Sequence, residues 1–369
     1  MARRNRASLP DSTYHLTARV VNKARLLSDS VFKDWIVDRI YGVADFCGVD
    51  VLAWCVMDNH LHLLVHVPVV PVRYRTSTES PATYAFGMRP PARYPPLWSP
   101  PPVSGGDSPL VGITSAGDSP RAVPSLPPLG FMLDDDEMLE RLQALYGNTK
   151  KVTSIRRRWE HLREDDRDRE VELEKEKYCR RMFNVSHFMK TLKESIAERY
   201  NLLHHREGQL WDGRFHSGVV ERVVNVRAIV ASYIDFNPVR AGIVRTPDRY
   251  RWNSFTQALG NGKHAQRCRR GYEMLLGLVW SEAEAMMRRI LDDQIKKMDG
   301  LGGIVRPRAS QVIKTRIRVL SRGTFIGIGD AFVRSVVDFL PPRYPAARPE
   351  RDVAECRRFD WSLPPSAAA

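Results

Sequence analysis

The chain has 369 residues, 43% of them hydrophobic, so it can bury a full core, and no apolar run is long enough to cross a membrane. Its 57 Lys and Arg residues against 43 Asp and Glu residues give a net charge of +14, which favours a polyanionic partner such as nucleic acid. Five scattered cysteines argue against a disulfide scaffold or a cysteine zinc site, and together with the lack of an export signal they predict a soluble, cytoplasmic protein.

The first predicted elements are a strand, a helix and two further strands. Residues 14–21 alternate between apolar and polar side chains well enough to form a strand. A helix begins after Ser28 or Ser30 and runs to about Cys47, with Gly48 in the expected place for a C-terminal glycine. Residues 51–68 then form two strands that are joined by a tight turn at residues 57–59.

His60 and His62 begin the second strand of this pair. Because strand side chains alternate between faces, both imidazoles point one way while Leu61 and Leu63 point into the core. Two imidazoles two residues apart, just after a turn, can converge on one metal ion. Packed or surface histidines show the same spacing, so the spacing by itself leaves a metal site and a structural role equally open.

A long insertion is predicted after this strand. Residues 68–130 are rich in Pro, Ser and Gly and predict a low-complexity loop or linker. Residues 131–181 predict a charged helical insertion, with an acidic helix start at Asp134 and a solvated helix over residues 155–181 that can belong to a helical pair. The chain therefore leaves its core after residue 67 and returns near residue 182.

The core resumes with a helix capped by Ser186, a strand over about residues 215–220 and a helix capped by Asn225 that ends before Pro238. With the insertion removed, the order predicts an α+β fold with a ferredoxin-like βαββαβ sheet, mainly antiparallel, and its helices on one face. The other face, with His15, His60, His62 and His66, would be free for ligands. The core covers residues 1–67 and 182–257, and residues 258–369 predict a basic, mostly helical extension with a frayed tail.

Tyr233 and Asn237 are four residues apart, so they lie on one face at the end of the last core helix. A structural interpretation makes Tyr233 a half-buried aromatic residue and Asn237 a helix C-cap. A functional interpretation makes Tyr233 a nucleophile and Asn237 an oxygen ligand for a metal ion. A phenol has a pKa of about 10, so it needs help to attack near neutral pH, and a nearby divalent cation provides some.

Five segments together resemble a known family. They are YHLTAR (residues 14–19), MDNHLHLL (57–64), GQLWDGRF (208–215), YIDFNPVRAG (233–242) and YRWNS (250–254). In this order they resemble the single-tyrosine HUH transposases, and within that superfamily most closely the REP-associated tyrosine transposases. The resemblance covers about residues 8–67 and 183–257, and it leaves out the insertion and most of the C-terminal third.

The resemblance implies a mechanism. His60 and His62 would bind Mg²⁺ or Mn²⁺, and Tyr233 would attack a phosphate of single-stranded or hairpin DNA to give a 5′-phosphotyrosine link and a free 3′-hydroxyl. A later attack by a 3′-hydroxyl would rejoin strands. The family's third metal ligand falls on Asn237, where related transposases carry Gln. Asp58 also departs from the family, which usually has Pro there.

Basic and aromatic side chains are candidates for DNA contacts. The predicted backbone contacts are Lys190, Lys193, Arg214 and Arg240. Stacking on unpaired bases and packing in the core are both open for the aromatic residues Trp211, Phe215 and Trp252.

Three other functions compete with transposition: a relaxase or replication initiator of the same fold, a domesticated DNA-binding protein that no longer cleaves, and a ferredoxin-like RNA-binding module. The intact His60, His62 and Tyr233 favour cleavage. Monomer and homodimer are both open, as is the use of Tyr233 by its own histidine pair or by that of a partner.

Overall fold

The structure is a computed structural model that describes residues 11–68, 133–299, 318–320 and 325–327. Within these residues the chain mixes helices with one sheet, which confirms the α+β class. Most of the predicted Pro-rich loop (residues 69–130) and the predicted frayed tail lie outside the described residues. The predicted domain boundaries stay predictions.

The sheet is built on four antiparallel strands. Their bounds are Ser12–Arg19 (β1), Asp50–Val56 (β2), His60–Val67 (β3) and His216–Val220 (β4), in the spatial order β2-β3-β1-β4. Two short strands, Arg318–Leu320 (β5) and Phe325–Gly327 (β6), continue the sheet beyond β4, with β6 parallel to β4. Strand β1 therefore lies at the centre of the antiparallel part, between β3 and β4.

Ten α-helices lie within the described residues, besides two short 3-10 helices at Val21–Lys23 and Pro247–Arg249. The α-helices are Ser30–Cys47 (α1), Asp135–Tyr146 (α2), Lys150–Glu164 (α3), Asp168–Cys179 (α4), Val185–Leu203 (α5), Val224–Asp235 (α6), Asn237–Arg240 (α7), Ser254–Leu259 (α8), Ala265–Leu276 (α9) and Trp280–Asp299 (α10).

The helix starts differ slightly from the predicted ones. Asp29 caps α1 by accepting from Phe32 N at 2.6 Å, and the side chain of Asn184 caps α5, so the capping residues are not the predicted serines. The predicted cap Asn225 lies inside α6, which begins one residue earlier. The predicted end of α1 is confirmed, since Gly48 adopts the left-handed conformation at φ 65°.

The two helices of the predicted βαββαβ unit, α1 and α5, pack side by side, but the further helix α6 covers the face that was predicted to be free for ligands. Helix α1 packs on the face that carries Trp54, whose Nε1 donates to the Tyr41 hydroxyl at 3.1 Å, and α5 packs beside α1. Helix α6 packs on the opposite face, where Tyr233 contacts the ring of His62. The physical reason is that Leu64 shares the histidine face and is fully buried, so this face also needs an apolar cover.

The helical part of the insertion packs on the outer side of α1. An added Cβ at Gly42 of α1 would lie 2.6 Å from the Ala144 carbonyl oxygen of α2, so the two helices are in close contact. Arg39 of α1 donates to the Leu145 carbonyl oxygen of α2 and to Ser195 Oγ of α5. Helices α1, α2 and α5 are thus joined on the side of the sheet away from the histidines.

The charged segment forms two helices that pack together, which is the helical pair that the sequence left open. Trp159 of α3 is buried and donates through Nε1 to Glu174 of α4 at 3.0 Å. Lys175 of α4 is also buried, and its Nζ lies 2.8 Å from Asp135 at the start of α2. Internal ion pairs therefore account for part of the charge in this segment.

The helices that follow residue 253 pack around β2 and α6. An added Cβ at Gly271 of α9 would lie 2.6 Å from the Leu52 carbonyl oxygen, which shows how closely α9 approaches β2. Gln294 of α10 donates to Ser232 of α6 at 2.8 Å. Among the described helices, none combines the length and apolar character needed to span a membrane.

The close contact between α1 and α2 gives a stability prediction. Gly42→Ala should lower the free energy of unfolding by about 1–3 kcal/mol, because the methyl group forces the α2 backbone away. Urea denaturation followed by circular dichroism measures this change. Gly260→Ala is the matched control, since its Cβ would meet neighbours at 3.7 Å or more and should change stability little. Equal effects of the two substitutions would contradict the described packing of α2 on α1.

Candidate active site

Three imidazoles cluster on the histidine face. The pairing of β1 with β3 sets His15 beside His62, with Nε2 of His15 3.0 Å from Nδ1 of His62 and the two rings stacked at 5.2 Å between centroids. The rings of His60 and His62 lie 5.0 Å apart. The sequence placed His15 on this face but gave it no role, because its contact with His62 depends on the register between two distant strands.

Hydrogen bonds fix which nitrogen of each imidazole can face a ligand. Nδ1 of His62 is directed at His15, and Nδ1 of His60 lies 2.6 Å from Oδ1 of Asn59. If each Nδ1 carries the proton, Nε2 of His60 and of His62 are the nitrogens that another ligand can use. Histidines that bind metals in proteins are held in this way by partners of their second nitrogen.

Burial keeps the cluster uncharged near neutral pH. It lowers the pKa of His15 and of His60 to about 4, and the positive charge of Arg19 contributes at His60. Burial also lowers the pKa of His62 well below its usual value, with further contributions from the neighbouring histidines, Arg19 and Arg240. Only neutral imidazoles bind metal ions, so the cluster is in the protonation state that a metal site needs.

Tyr233 of α6 lies against the cluster. Its ring is edge-on to His62 at 5.6 Å and to His15 at 5.9 Å between centroids. The guanidinium of Arg240 lies over the same ring at 5.3 Å and hydrogen-bonds with the phenol. Burial raises the pKa of Tyr233, whereas Arg240 and Arg19 act in the opposite direction. The structure thus brings Tyr233, the histidine pair and Arg240 together.

A buried polar group holds α6 in this position. Asp235, two residues after Tyr233, accepts hydrogen bonds from Tyr272 at 2.7 Å and from Ser254 at 3.4 Å. The Ser254 hydroxyl also accepts from the backbone N–H of Trp54 in β2 at 2.9 Å. Burial raises the pKa of Asp235 to about 7. These bonds tie the end of α6 to the sheet and to α9, a role that the sequence did not reveal.

Asn237 lies at the start of α7 and is 9% exposed. Its Nδ2 donates to the carbonyl oxygens of Tyr233 at 2.9 Å and Ile234 at 3.3 Å. The described hydrogen bonds therefore run to the backbone of α6, and its role as a metal ligand stays a prediction.

The donor set fits a divalent cation in part. His60 and His62 offer two neutral, oriented imidazoles. In the part of the chain that the structure describes, no three His, Cys, Asp or Glu side chains are arranged to hold a metal ion. Among the described residues, a third protein ligand would be of another type, and the amide oxygen of Asn237 is the predicted one.

The predicted DNA contacts divide into two places. Lys190 is exposed on α5, 3.9 Å from Glu194, and Lys193 donates to the Gly213 carbonyl oxygen at 2.7 Å, next to the exposed Arg214. Arg240 instead contacts Tyr233. Of the aromatic candidates, Trp211 and Phe215 are each 7% exposed, so the structure places them in the core.

Comparisons with known proteins agree with the family resemblance. Residues 8–73 match the family model described as "Transposase IS200 like", which confirms the relation to the tyrosine transposases recognised from the motifs. A solved structure of a REP-associated tyrosine transposase bound to a REP hairpin is 12% identical, with a TM-score of 0.34, over 70% of this chain and 86% of that chain. A likeness this distant does not establish a shared fold. No curated protein matches significantly.

The neutral imidazoles give a pH prediction for the metal-free protein. A histidine whose pKa falls from 6.5 when unfolded to about 4 when folded contributes stability above pH 6.5 that is lost as the pH falls towards 4. His60→Gln should therefore make the dependence of unfolding free energy on pH shallower between pH 7 and 4.5. Urea denaturation in EDTA measures this change, and His161→Gln, which removes an exposed histidine outside the cluster, is the control for loss of a histidine as such. A wild-type slope in His60→Gln would contradict the burial of a neutral His60.

Proposed function

We propose, from the relation of residues 8–73 to the IS200-like transposases, that this chain is a DNA transposase that cleaves and rejoins single-stranded or hairpin DNA. The observation that carries the proposal is the contact between Tyr233 and His62, whose ring centroids are 5.6 Å apart. A nucleophile from a late helix and an imidazole pair from an early strand meet within one chain. The strand order β2-β3-β1-β4 supports the ferredoxin-like fold that was predicted from the order of the elements.

The proposed reaction is a transesterification. The phenolic oxygen of Tyr233 attacks a DNA phosphorus atom, forming an O–P bond as the bond from phosphorus to the 3′-oxygen breaks. The phenol loses its proton to solvent, and the departing 3′-oxygen takes up a proton. The product is a 5′-phosphotyrosine with a free 3′-hydroxyl. Attack by a 3′-hydroxyl on that phosphorus restores the phosphodiester and releases Tyr233, so no external energy source is needed.

Arg240 and Asp235 have supporting parts in this proposal. Burial makes the phenolate of Tyr233 harder to form, and the adjacent guanidinium of Arg240 partly offsets this because it stabilises negative charge on the oxygen. Asp235 holds the end of α6 through Tyr272, which keeps the attacking oxygen over the histidine face. Proximity of this kind supplies a large share of the rate in many enzymes.

His60 and His62 would hold Mg²⁺ or Mn²⁺, with Asn237 as the proposed third ligand. When bound, a divalent cation would neutralise charge on the scissile phosphate and polarise it. The net charge of +14, with Lys190, Lys193 and Arg214 near one another, supports binding of the flanking DNA backbone.

The nucleophile is tested by Tyr233→Phe. A labelled hairpin of single-stranded DNA should form a covalent adduct with the wild-type protein in Mn²⁺, and the phenylalanine variant should form none because it lacks the attacking oxygen. Its DNA affinity should stay within about threefold of the wild-type value, as expected for loss of one partly buried hydroxyl. Denaturing gels report the adduct, and gel shifts report binding.

Tyr146→Phe in α2 is the matched control, because this tyrosine lies in the insertion on the far side of α1. It should form the adduct at the wild-type rate. An adduct that persists in Tyr233→Phe would remove this residue from its role. DNA binding without any adduct in the wild-type protein would favour the non-cleaving alternative.

Metal dependence is tested by chelation. EDTA should abolish adduct formation, and added Mg²⁺ or Mn²⁺ should restore it. His60→Ala and His62→Ala should each lower the rate of adduct formation at least about 100-fold. Each substitution removes a ligand of the proposed cation, which would neutralise charge on the scissile phosphate. A wild-type reaction that proceeds unchanged in EDTA would rule out the metal.

A further inference from the structure

Lys33 of α1 is buried, although lysine is seldom fully buried unless it is paired. Its side chain is 3% exposed, and Nζ lies 2.5 Å from Oδ1 of Asp58 and 3.0 Å from the Tyr250 hydroxyl. Nζ also lies 4.5 Å from the centre of the Trp252 ring. Burial of an ammonium group is costly, so these partners are needed to keep Lys33 in place.

Asp58 belongs to the turn that precedes β3. Its other carboxylate oxygen accepts hydrogen bonds from the side chain of Arg25, and its backbone carbonyl oxygen accepts from Leu27 N at 2.8 Å. On the other side of the turn, Tyr250 donates to the Val56 carbonyl oxygen at 2.8 Å. The Lys33–Asp58 ion pair thus lies where α1, the turn and the segment around Tyr250 meet.

The next residue of the turn is Asn59, and it contacts His60 directly. Asn59 Nδ2 donates to the Lys23 carbonyl oxygen at 3.1 Å, and the Asn59 carbonyl oxygen accepts from Val20 N at 2.9 Å. These bonds turn Oδ1 of the amide towards Nδ1 of His60, 2.6 Å away. The orientation of the His60 ring therefore depends on where the turn is held.

We propose that the buried Lys33–Asp58 ion pair is a positioning device that holds the 57–59 turn so that Asn59 fixes the ring of His60 for cation binding. The cation-binding part rests on the proposed function. Lys33 does not contact His60 in the described hydrogen bonds, and it affects the His60 ring through Asp58 and Asn59. The device matters for His60 more than for His62, which lies inside β3 and is held by His15 and by sheet pairing.

Lys33→Met tests the device with little disturbance to packing. Methionine keeps an unbranched apolar stem beside Trp252 and removes only the charged end. Asp58 then keeps Arg25 as a partner at the surface, so no carboxylate is left buried and unpaired. The control is Asp38→Asn, which breaks the ion pair of Asp38 with Lys263 on the exposed side of the same helix.

The first measurement is long-range ¹⁵N–¹H NMR of the full chain without metal. The wild-type protein and Asp38→Asn should show His60 as a single tautomer with the proton on Nδ1. Lys33→Met should show a mixture of tautomers, because Asn59 no longer holds the ring. A single Nδ1–H tautomer in folded Lys33→Met would overturn the proposal, whatever the protein does to DNA.

The second measurement is calorimetric titration with Mn²⁺. Lys33→Met should bind Mn²⁺ about tenfold more weakly than the wild-type protein, the lower end of effects seen when an outer partner of a ligand is lost. Asp38→Asn should bind within twofold of the wild-type protein. Adduct formation by Lys33→Met should recover at saturating Mn²⁺. Mn²⁺ affinity within twofold of wild type in folded Lys33→Met would overturn the cation-binding part.

Two further outcomes separate the proposals. If circular dichroism shows that Lys33→Met does not fold, Asp58→Asn replaces it in both measurements, since the amide keeps the shape of the carboxylate while it weakens the contact with Lys33. A wild-type protein that neither binds Mn²⁺ nor forms an adduct would overturn the proposed function, and the NMR measurement would still decide whether the ion pair holds His60.

Discussion

Helix α6 lies across the sheet face that carries His15 and His62, and this packing controls the chemistry of every group beneath it. Burial under the helix lowers the pKa of the imidazoles, which keeps them neutral and able to bind a cation. The same burial raises the pKa of Tyr233, which opposes its use as a nucleophile. Arg240 lies over the phenol and acts against that second effect. One packing contact therefore keeps the imidazoles neutral and raises the pKa of the phenol, and the proposed cation would act against the second effect.

Local periodicity was enough to predict the parts of the site but not their assembly. Alternation along β3 correctly placed His60 and His62 on the face opposite Leu61 and Leu63, since it depends only on strand geometry. The contact of His15 with His62 could not be predicted, because it depends on the register between strands far apart in sequence. The histidine face was predicted to be free for ligands and is instead covered by α6, since the sequence does not show which apolar surface of the sheet needs a further helix.

The insertion changes how the net charge of the chain relates to DNA binding. Arg163 and Lys175 of the helical pair both bind Asp135, so basic residues in this region serve the internal packing of the insertion. Helix α2 packs on α1, on the side of the sheet opposite the histidines, so the histidine face is covered by α6 and not by α2. Composition therefore gives the net positive charge of the chain, but it does not show which basic residues are used in ion pairs inside the insertion.

The rings of His60 and His62 are held by different contacts, so a local change in structure should affect one of them more than the other. His62 lies inside β3, between β1 and β2, where ladder hydrogen bonds and His15 fix its backbone and ring. His60 is the first residue of the strand, and its ring depends on Asn59 and hence on a turn held by Lys33. Sheet pairing is cooperative and resists local change, whereas a turn held by side chains can shift when one contact is lost. Variation in the spacing between the two imidazoles should therefore arise at His60.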